Sequence, residues 1–211
     1  MRALFFAVLA MLPLAAGAQG VSAADRGQAD RGQVDQAVVD RALAYLNAAR
    51  VINARFIQRD QHGGRWTGQM WVARPGQLRF QYDPPENDVI WSNGFIIKHF
   101  DAELETVTQV PRDMTPAWFL LDEHVRIKED VQVLATAEQG GRYFVTATQT
   151  GVLNDGRVTL AFETSPARLL GWAATDGDGE VIQVDLVDLK VGGVIPDEVF
   201  KYQPPIPENG N

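Results

Sequence analysis

Most of this chain alternates between apolar and polar residues, which is the pattern of β-strands that bury one face. Short segments rich in Asn, Asp, Gly and Pro separate the alternating runs, and such segments are typical of hairpin turns. An antiparallel meander of about eleven strands must curl into a barrel or a strongly bent sheet. The predicted strands cover the ranges 54–60, 65–74, 77–82, 88–92, 95–101, 104–110, 130–137, 142–149, 157–163, 167–175 and 181–191.

The first departure from this alternation predicts an amphipathic helix from about Gln36 to Asn53. Asp35 stands where an N-cap residue is expected, because its carboxylate can accept a hydrogen bond from a free amide of the first turn. The apolar stripe is narrow, as in a helix that covers a sheet. It consists of Val39, Leu43, Leu46 and Ala49.

The second departure, at residues 111–122, predicts a short helix that Thr115 can cap and Pro116 can begin. Four consecutive bulky residues follow, so a helix here is apolar over most of its circumference: Trp118, Phe119, Leu120 and Leu121. Apolar surroundings are therefore needed on more than one side. A lid over a cavity and a helix wedged into the core both meet this requirement.

The last predicted strand changes its phase. Apolar residues alternate up to Leu186 and then continue from Val187 on the opposite phase. A one-residue change of phase indicates a β-bulge, which bends a strand where a barrel curves.

The hairpin at 65–82 has an apolar face that ends in a cation. Counting by twos puts Arg74 at the end of the face that carries Met70 and Val72, beside a turn in which Pro75 and Gly76 have favourable conformations. The second strand carries Leu78, Phe80 and Tyr82 on one face. A guanidinium in that place needs backbone carbonyls or a carboxylate as acceptors. A solvent-exposed ion pair at the rim is the alternative reading of Arg74.

The first 18 residues predict that the protein is exported. One positive charge, an apolar run from Ala3 to Leu14 and the small residues Ala16 and Ala18 make a signal peptide that is cleaved after Ala18. The apolar run is too short to span a bilayer. Residues 19–33, which contain a tandem pentapeptide repeat at 24–33, have no large apolar residue after Val21 and are expected to be a disordered leader. Residues 34–211 are expected to form one domain.

Composition narrows the functional class. The chain has no cysteine, so we expect neither disulfides nor lipidation at its N-terminus. Its net charge of −8 argues against nucleic acid and anionic lipid head groups as partners. The histidines, His62, His99 and His124, are scattered, and Asp176, Asp178 and Glu180 are read as a hairpin turn rather than a calcium site. No serine stands in a nucleophile motif. We therefore expect that the protein is not an enzyme and binds neither a metal nor a cofactor.

Motifs along the whole mature chain resemble the outer-membrane lipoprotein carrier family (LolA). Each motif is weak alone, and their order and spacing carry the resemblance. They are Phe56-x-Gln58, Gly68-x-x-Trp71-Val72-x-Arg74-Pro75-Gly76, Phe80-x-Tyr82-x-x-Pro85, Ser92-Asn93-Gly94, Phe100-Asp101 with Thr106-Val107-Thr108-Gln109, Thr115-Pro116 with Leu120-Leu121, and Phe200-x-x-x-Pro204-Pro205.

The resemblance implies a fold and a set of site residues. The fold is mainly β, an incomplete antiparallel barrel whose apolar cavity is covered by the N-terminal helix and a short helical lid. Arg74 would be the latch of this lid, and we expect it to bond carbonyls near residues 118–121. The lid would be Trp118, Phe119, Leu120 and Leu121, and the wall that binds acyl chains would include Met70, Val72, Leu78, Phe80 and Tyr82. Lys98 stands where family members often have an aromatic residue.

The resemblance also implies a function. A monomeric periplasmic chaperone would receive acylated lipoproteins from an inner-membrane ABC-type extraction complex and deliver them to an outer-membrane receptor lipoprotein. The alternative is a periplasmic regulatory protein that senses lipid or lipoprotein with the same half-barrel. Such sensors carry a second C-terminal domain, for which the sequence leaves no room after Phe200.

Overall fold

The computed structural model describes residues 33–115, 118–149 and 156–205. The predicted signal peptide and the leader up to residue 32 lie outside the described residues. Within the described residues, one antiparallel sheet contains eleven strands, as the alternation predicted. The strands are β1 (Val51–Asp60), β2 (Arg65–Ala73), β3 (Gln77–Tyr82), β4 (Val89–Asn93), β5 (Ile96–Asp101), β6 (Thr106–Pro111), β7 (Val131–Gln139), β8 (Arg142–Gln149), β9 (Arg157–Thr164), β10 (Ala167–Thr175) and β11 (Val181–Val191).

The strand order makes the barrel incomplete. Strands β1–β6 and β7–β11 form two meanders that join where β1 pairs with β11, and β6 and β7 are the two edges of the sheet. The order is β6-β5-β4-β3-β2-β1-β11-β10-β9-β8-β7, so the edges do not pair with each other. The predicted fold class, an open antiparallel half-barrel with few helices, is confirmed.

Helix α1 (Gln36–Ala48) lies over the concave face of the sheet. Asp35 caps it as predicted, because its carboxylate accepts a hydrogen bond from the amide of Ala37 at 2.8 Å. The predicted end at Asn53 is wrong, since β1 already begins at Val51. Residues 51–53 pair with β2, and residues 52 and 53 also pair with β11, and this pairing overrides the helical spacing. The buried residues of α1 are Val38, Val39, Ala42 and Leu46.

The predicted bulge is present in β11. Asn53 is opposite Lys190 and Arg55 is opposite Val187, so β11 has one extra residue between these pairs. Asp188 adopts a φ of 53° there. The bulge lies about two residues after the change of phase that predicted it.

The concave face holds the main apolar core, formed by strands from both meanders together with α1 and a second helix, α2 (Trp118–Leu121). A smaller apolar cluster lies on the convex face, where Tyr202 of the C-terminal segment packs against Trp91 and Phe100. No helix in the described ranges is long and apolar enough to cross a bilayer.

Candidate functional site

The turn between β2 and β3 is the meeting point of the sheet and both helices. Gly76 has a φ of 75°, and a Cβ atom added to it would come within 3.1 Å of the Gly94 Cα atom in the adjacent turn. The positive φ therefore favours glycine at this position, and a side chain would crowd the backbone of Gly94. The Gly76 amide donates to the Leu121 carbonyl at 2.9 Å, and the Arg74 amide donates to the Arg50 carbonyl at 3.0 Å.

The Arg74 side chain is 7 % exposed and lies beneath the C-terminal end of α1. Its Nη2 atom donates to the Leu46 carbonyl and, at 2.5 Å, to the Ala49 carbonyl. Carbonyls in the last turn of a helix have no partner within the helix and carry its partial negative charge. The acceptors are backbone carbonyls, as expected, but the expectation that they lie near residues 118–121 is wrong. The Leu121 carbonyl already accepts the Gly76 amide.

Burial weakens the proton affinity of this guanidinium. Loss of solvent, together with the nearby positive charge of Arg50, lowers the pKa of Arg74 to about 10, while Asp122 opposes the shift. Arg74 therefore stays charged at neutral pH. Its Nε and Nη1 atoms have no hydrogen-bond acceptor among the described residues. In this arrangement one of the three guanidinium nitrogens, Nη2, makes hydrogen bonds to the described residues.

The four residues of α2 are all buried, with exposures of 5 % or less. The Phe119 ring packs edge-on against Trp172 of β10, with 5.6 Å between the ring centroids. Apolar neighbours surround α2 on several sides, as the run of bulky residues required. Packing alone does not separate a lid from a wedged core helix. Thr115 donates its hydroxyl to the Arg112 carbonyl at 2.9 Å, and Pro116 lies outside the described residues.

The five predicted wall residues face the concave interior together. Their side chains are no more than 2 % exposed, and the sheet register pairs Met70 with Phe80 and Val72 with Leu78. The Phe80 ring contacts Phe56 and Trp172, at centroid distances of 5.3 and 6.2 Å. This part of the interior is filled by its own side chains.

A small apolar cleft lies between α1 and strands β8 and β9, and the sequence analysis did not predict it. The cleft has a volume of about 10 Å³, which is room for about one water molecule. The alternation in β8 and β9 predicted strands and gave no sign that their inward residues face α1. Its lining consists of Val39, Ala42, Leu43, Leu46, Trp118, Ile127, Val145, Ala147, Val158 and Leu160.

Two buried polar pairs, here called the floor pairs, lie at the end of the interior opposite Arg74. Tyr82 donates its hydroxyl to the Gln58 side-chain oxygen at 2.7 Å, and His99 Nε2 lies 2.9 Å from the Asp88 carboxylate. Burial, followed by the charge of Asp88, raises the pKa of Tyr82, and the Gln58 bond opposes the shift. The sequence analysis noted His99 only as one of three scattered histidines and did not identify Asp88 as its partner.

Two further candidate positions have other roles. Lys98 lies on the convex face, because it pairs with Trp91 in the sheet and its ammonium lies 5.9 Å from the Trp91 ring centre. The carboxylate of Asp176 accepts the amides of Asp178 and Glu180 at 3.0 and 2.9 Å, as in a hairpin turn. In the described parts of the chain, no three acidic or histidine side chains converge as metal ligands.

The chain is similar to known proteins over most of its length. The family model described as outer membrane lipoprotein carrier protein LolA matches residues 47–203. The outer-membrane lipoprotein carrier protein of Legionella pneumophila (strain Corby) is 27 % identical over 168 residues, covering 76 % of this chain and 82 % of that protein. Its counterpart in Pseudomonas paraeruginosa (strain DSM 24068 / PA7) is 29 % identical over 215 residues, covering 97 % and 94 %.

Solved structures were compared with the chain as well. A LolA superfamily protein from Nitrosomonas europaea has a TM-score of 0.45 and 13 % sequence identity. It covers 81 % of this chain and 99 % of its own.

Proposed function

We propose a lipoprotein-carrying role for this chain, which belongs to the LolA family of outer membrane lipoprotein carrier proteins. In this proposal the exported protein works in the periplasm. It receives acylated lipoproteins from an inner-membrane ABC-type extraction complex, covers their acyl chains, and passes them to the outer membrane through a receptor lipoprotein where one is present. The matched residues 47–203 include the Arg74 turn, α2 and all eleven strands, which supports the proposal.

The need for such a carrier follows from the cost of exposed acyl chains. Each methylene moved out of water contributes about 0.8 kcal/mol, so a chain of ~15 methylenes costs on the order of 12 kcal/mol to hold in water. A lipoprotein therefore needs an apolar cover throughout its transfer between two membranes. The concave core of this half-barrel has the required chemistry.

In the described structure α1 and α2 pack against the sheet, an arrangement here called closed, and an acyl chain would have to displace them to reach the concave core. The cleft between α1 and strands β8 and β9 has room for about one water molecule, so it would itself have to widen to hold an acyl chain. The sheet is held together by strand pairing along its whole length, whereas α1 and α2 are joined to the turn between β2 and β3 by a few hydrogen bonds. We therefore expect the helices to move while the sheet stays intact.

The observation that carries the proposal is the insertion of Arg74 beneath the end of α1. Its bonds to the carbonyls of Leu46 and Ala49 exist in the closed state and must break when α1 moves away. Hydrogen bonds to a charged group contribute roughly 1.5–3 kcal/mol, enough to change an open-to-closed ratio by one or two orders of magnitude. Arg74 would thus favour the closed, empty state and promote release of cargo.

The substitution Arg74→Leu tests this role. The variant should still accept lipoproteins released from spheroplasts, but it should transfer them poorly to outer-membrane vesicles, so loaded carrier accumulates. Arg74→Lys should have a milder effect, because Lys keeps the charge and loses the planar fork. Both steps are measured by following labelled lipoprotein in the soluble and membrane fractions.

A matched control is available on the same hairpin. Arg79 also donates to a backbone carbonyl, that of Val199 at 3.0 Å, but it lies on the convex face. Arg79→Leu should accept and transfer cargo like the parent protein. Equal transfer by Arg74→Leu and the parent would refute the latch. Recovery of a signalling partner in place of mature lipoproteins would favour the sensor alternative.

A further inference from the structure

Asn47 lies in the last turn of α1, between the two residues whose carbonyls bond Arg74. Its side-chain amide pairs with the backbone of one residue 78 positions away. Nδ2 donates to the Val125 carbonyl at 2.9 Å, and Oδ1 accepts the Val125 amide at 2.9 Å. Both groups of the side-chain amide and both groups of the Val125 peptide backbone are therefore satisfied by each other.

Val125 belongs to the segment 122–130, which leads from α2 to β7. Its side chain is 2 % exposed and lies in the main core, so this segment is anchored close to α1. Without the Asn47 amide, the peptide groups of Val125 would lose their partners in a partly buried place. The bonds thus connect α1 to the chain that directly follows α2.

The other contacts do not make this connection in the same way. The Arg74 side chain bonds carbonyls of α1 and its C-cap, and the Gly76 amide bonds the end of α2. Arg50 lies 3.6 Å from Glu123, but both side chains are largely exposed, and such pairs contribute little. Among the described residues, the paired hydrogen bonds of Asn47 are the directional link between the two helical covers.

We infer that Asn47 is a positioning residue that makes α1 and residues 118–128 open and close as one unit. Release of α1 from Arg74 is then transmitted to α2, which Arg74 does not bond. The role of this unit as a cover of the acyl site rests on the proposed function. The coupling between its two parts is a property of the protein without cargo.

Amide hydrogen exchange without cargo tests the coupling. The four proteins to compare are the parent, Arg74→Leu, Asn47→Ala and the double variant. In the parent background, Arg74→Leu should accelerate exchange in α1 and in residues 118–128. In the Asn47→Ala background, it should accelerate exchange in α1 and leave residues 118–128 unchanged. Asn47→Ala alone should accelerate exchange in 118–128 by on the order of tenfold.

Matched variants separate coupling from a general loss of stability. Asn47→Asp keeps an acceptor for the Val125 amide and loses the donor, so it should retain part of the coupling even if Asn47→Ala folds poorly. Exchange in β9 and β10 is the internal reference and should be unchanged in every variant. If Arg74→Leu accelerates residues 118–128 equally with and without Asn47, or in neither background, the inference is overturned.

The outcome is independent of the carrier proposal. Coupled exchange in a protein that fails to carry lipoproteins would support the inference and contradict the proposed function. If the protein carries lipoproteins but amide exchange in α1 and in residues 118–128 is independent, the proposed function is supported and the inference is contradicted. For a functional readout, Asn47→Ala should slow cargo release more than cargo acceptance, and Asn47→Asp should partly restore release.

Discussion

The two ends of the barrel interior bury polar side chains in opposite ways. The floor pairs, Gln58 with Tyr82 and Asp88 with His99, join residues on or next to strands of one sheet. At the mouth, defined by the Arg74–Gly76 turn and α2, Arg74 instead joins the sheet to a helix. Floor contacts are reinforced by strand pairing, so they separate when the sheet unfolds. Mouth contacts can separate while the sheet stays folded, and this difference defines where motion is possible.

The largest expected effect compares two phenylalanines that contact Trp172, Phe80 on β3 and Phe119 on α2. Phe80→Ala should lower the free energy of unfolding by about 3–5 kcal/mol, because the sheet cannot collapse around the cavity. Phe119→Ala should cost no more than about 2 kcal/mol, because its loss is limited by the free energy of opening α2. Urea unfolding measures both. Equal losses would identify α2 as a wedged core helix.

A second prediction concerns the floor. Tyr82→Phe leaves the buried Gln58 oxygen without its donor and should cost about 1–3 kcal/mol. The double variant Tyr82→Phe/Gln58→Leu should recover most of this loss, since both polar partners are then absent. Tyr202→Phe on the convex face is the control and should change stability by no more than about 0.5 kcal/mol. A double variant less stable than Tyr82→Phe would show that the pair is not the source of the loss.

A third prediction separates stability from transfer at the mouth. Arg74→Leu should lower the free energy of unfolding by no more than about 2 kcal/mol, because its loss is limited by the free energy of moving α1 away while the sheet stays folded. Its effect on cargo transfer should be large by comparison. Thermal and urea unfolding of Arg74→Leu beside Arg79→Leu measures this. A loss of several kcal/mol would make Arg74 as structural as the floor pairs.

The smallest effect on stability is expected at Asp83, on the convex face of the sheet. The hydrogen bonds from Arg55, and then from Thr67, lower the pKa of this carboxyl below its ordinary value of 3.8. Because the folded pKa is depressed, the contribution is present above the unfolded pKa and is lost as pH falls through the folded one. The Asp83 side chain is 35 % exposed to screening solvent, so Asp83→Asn should cost at most about 1 kcal/mol at neutral pH.

The pH dependence provides the check for Asp83. The difference between Asp83→Asn and the parent, measured by urea unfolding, should shrink between pH 7 and pH 3. An equal difference at both values would mean that the carboxyl contributes through packing rather than through its charge.

Much of the fold was predictable because its signals are local. Alternation and turn residues predicted the eleven strands, Asp35 predicted the start of α1, and the change of phase at Leu186 predicted the bulge in β11. The end of α1 was not predictable from Ala49 and its spacing, because the pairing of residues 51–53 with β2 and β11 decided it.

The site itself was predictable in part. A cation at the end of an apolar face pointed to carbonyl acceptors, and four bulky residues in a row pointed to burial on several sides. Nothing near Arg74 in the chain identified the end of α1 as the acceptor, and nothing near Tyr82 identified Gln58 as its partner. These contacts depend on how distant elements cross.

The sequence by itself therefore determined the strands, the turns, the family and the residues that line the interior. The tertiary structure alone decided which carbonyls Arg74 meets, how Asn47 connects α1 to Val125, and that a small cleft lies between α1 and strands β8 and β9. The physical reason is range: strand and turn preferences act between close neighbours in the chain, whereas these contacts join residues 28 and 78 positions apart. Such contacts are set by the packing of α1 across the curved sheet.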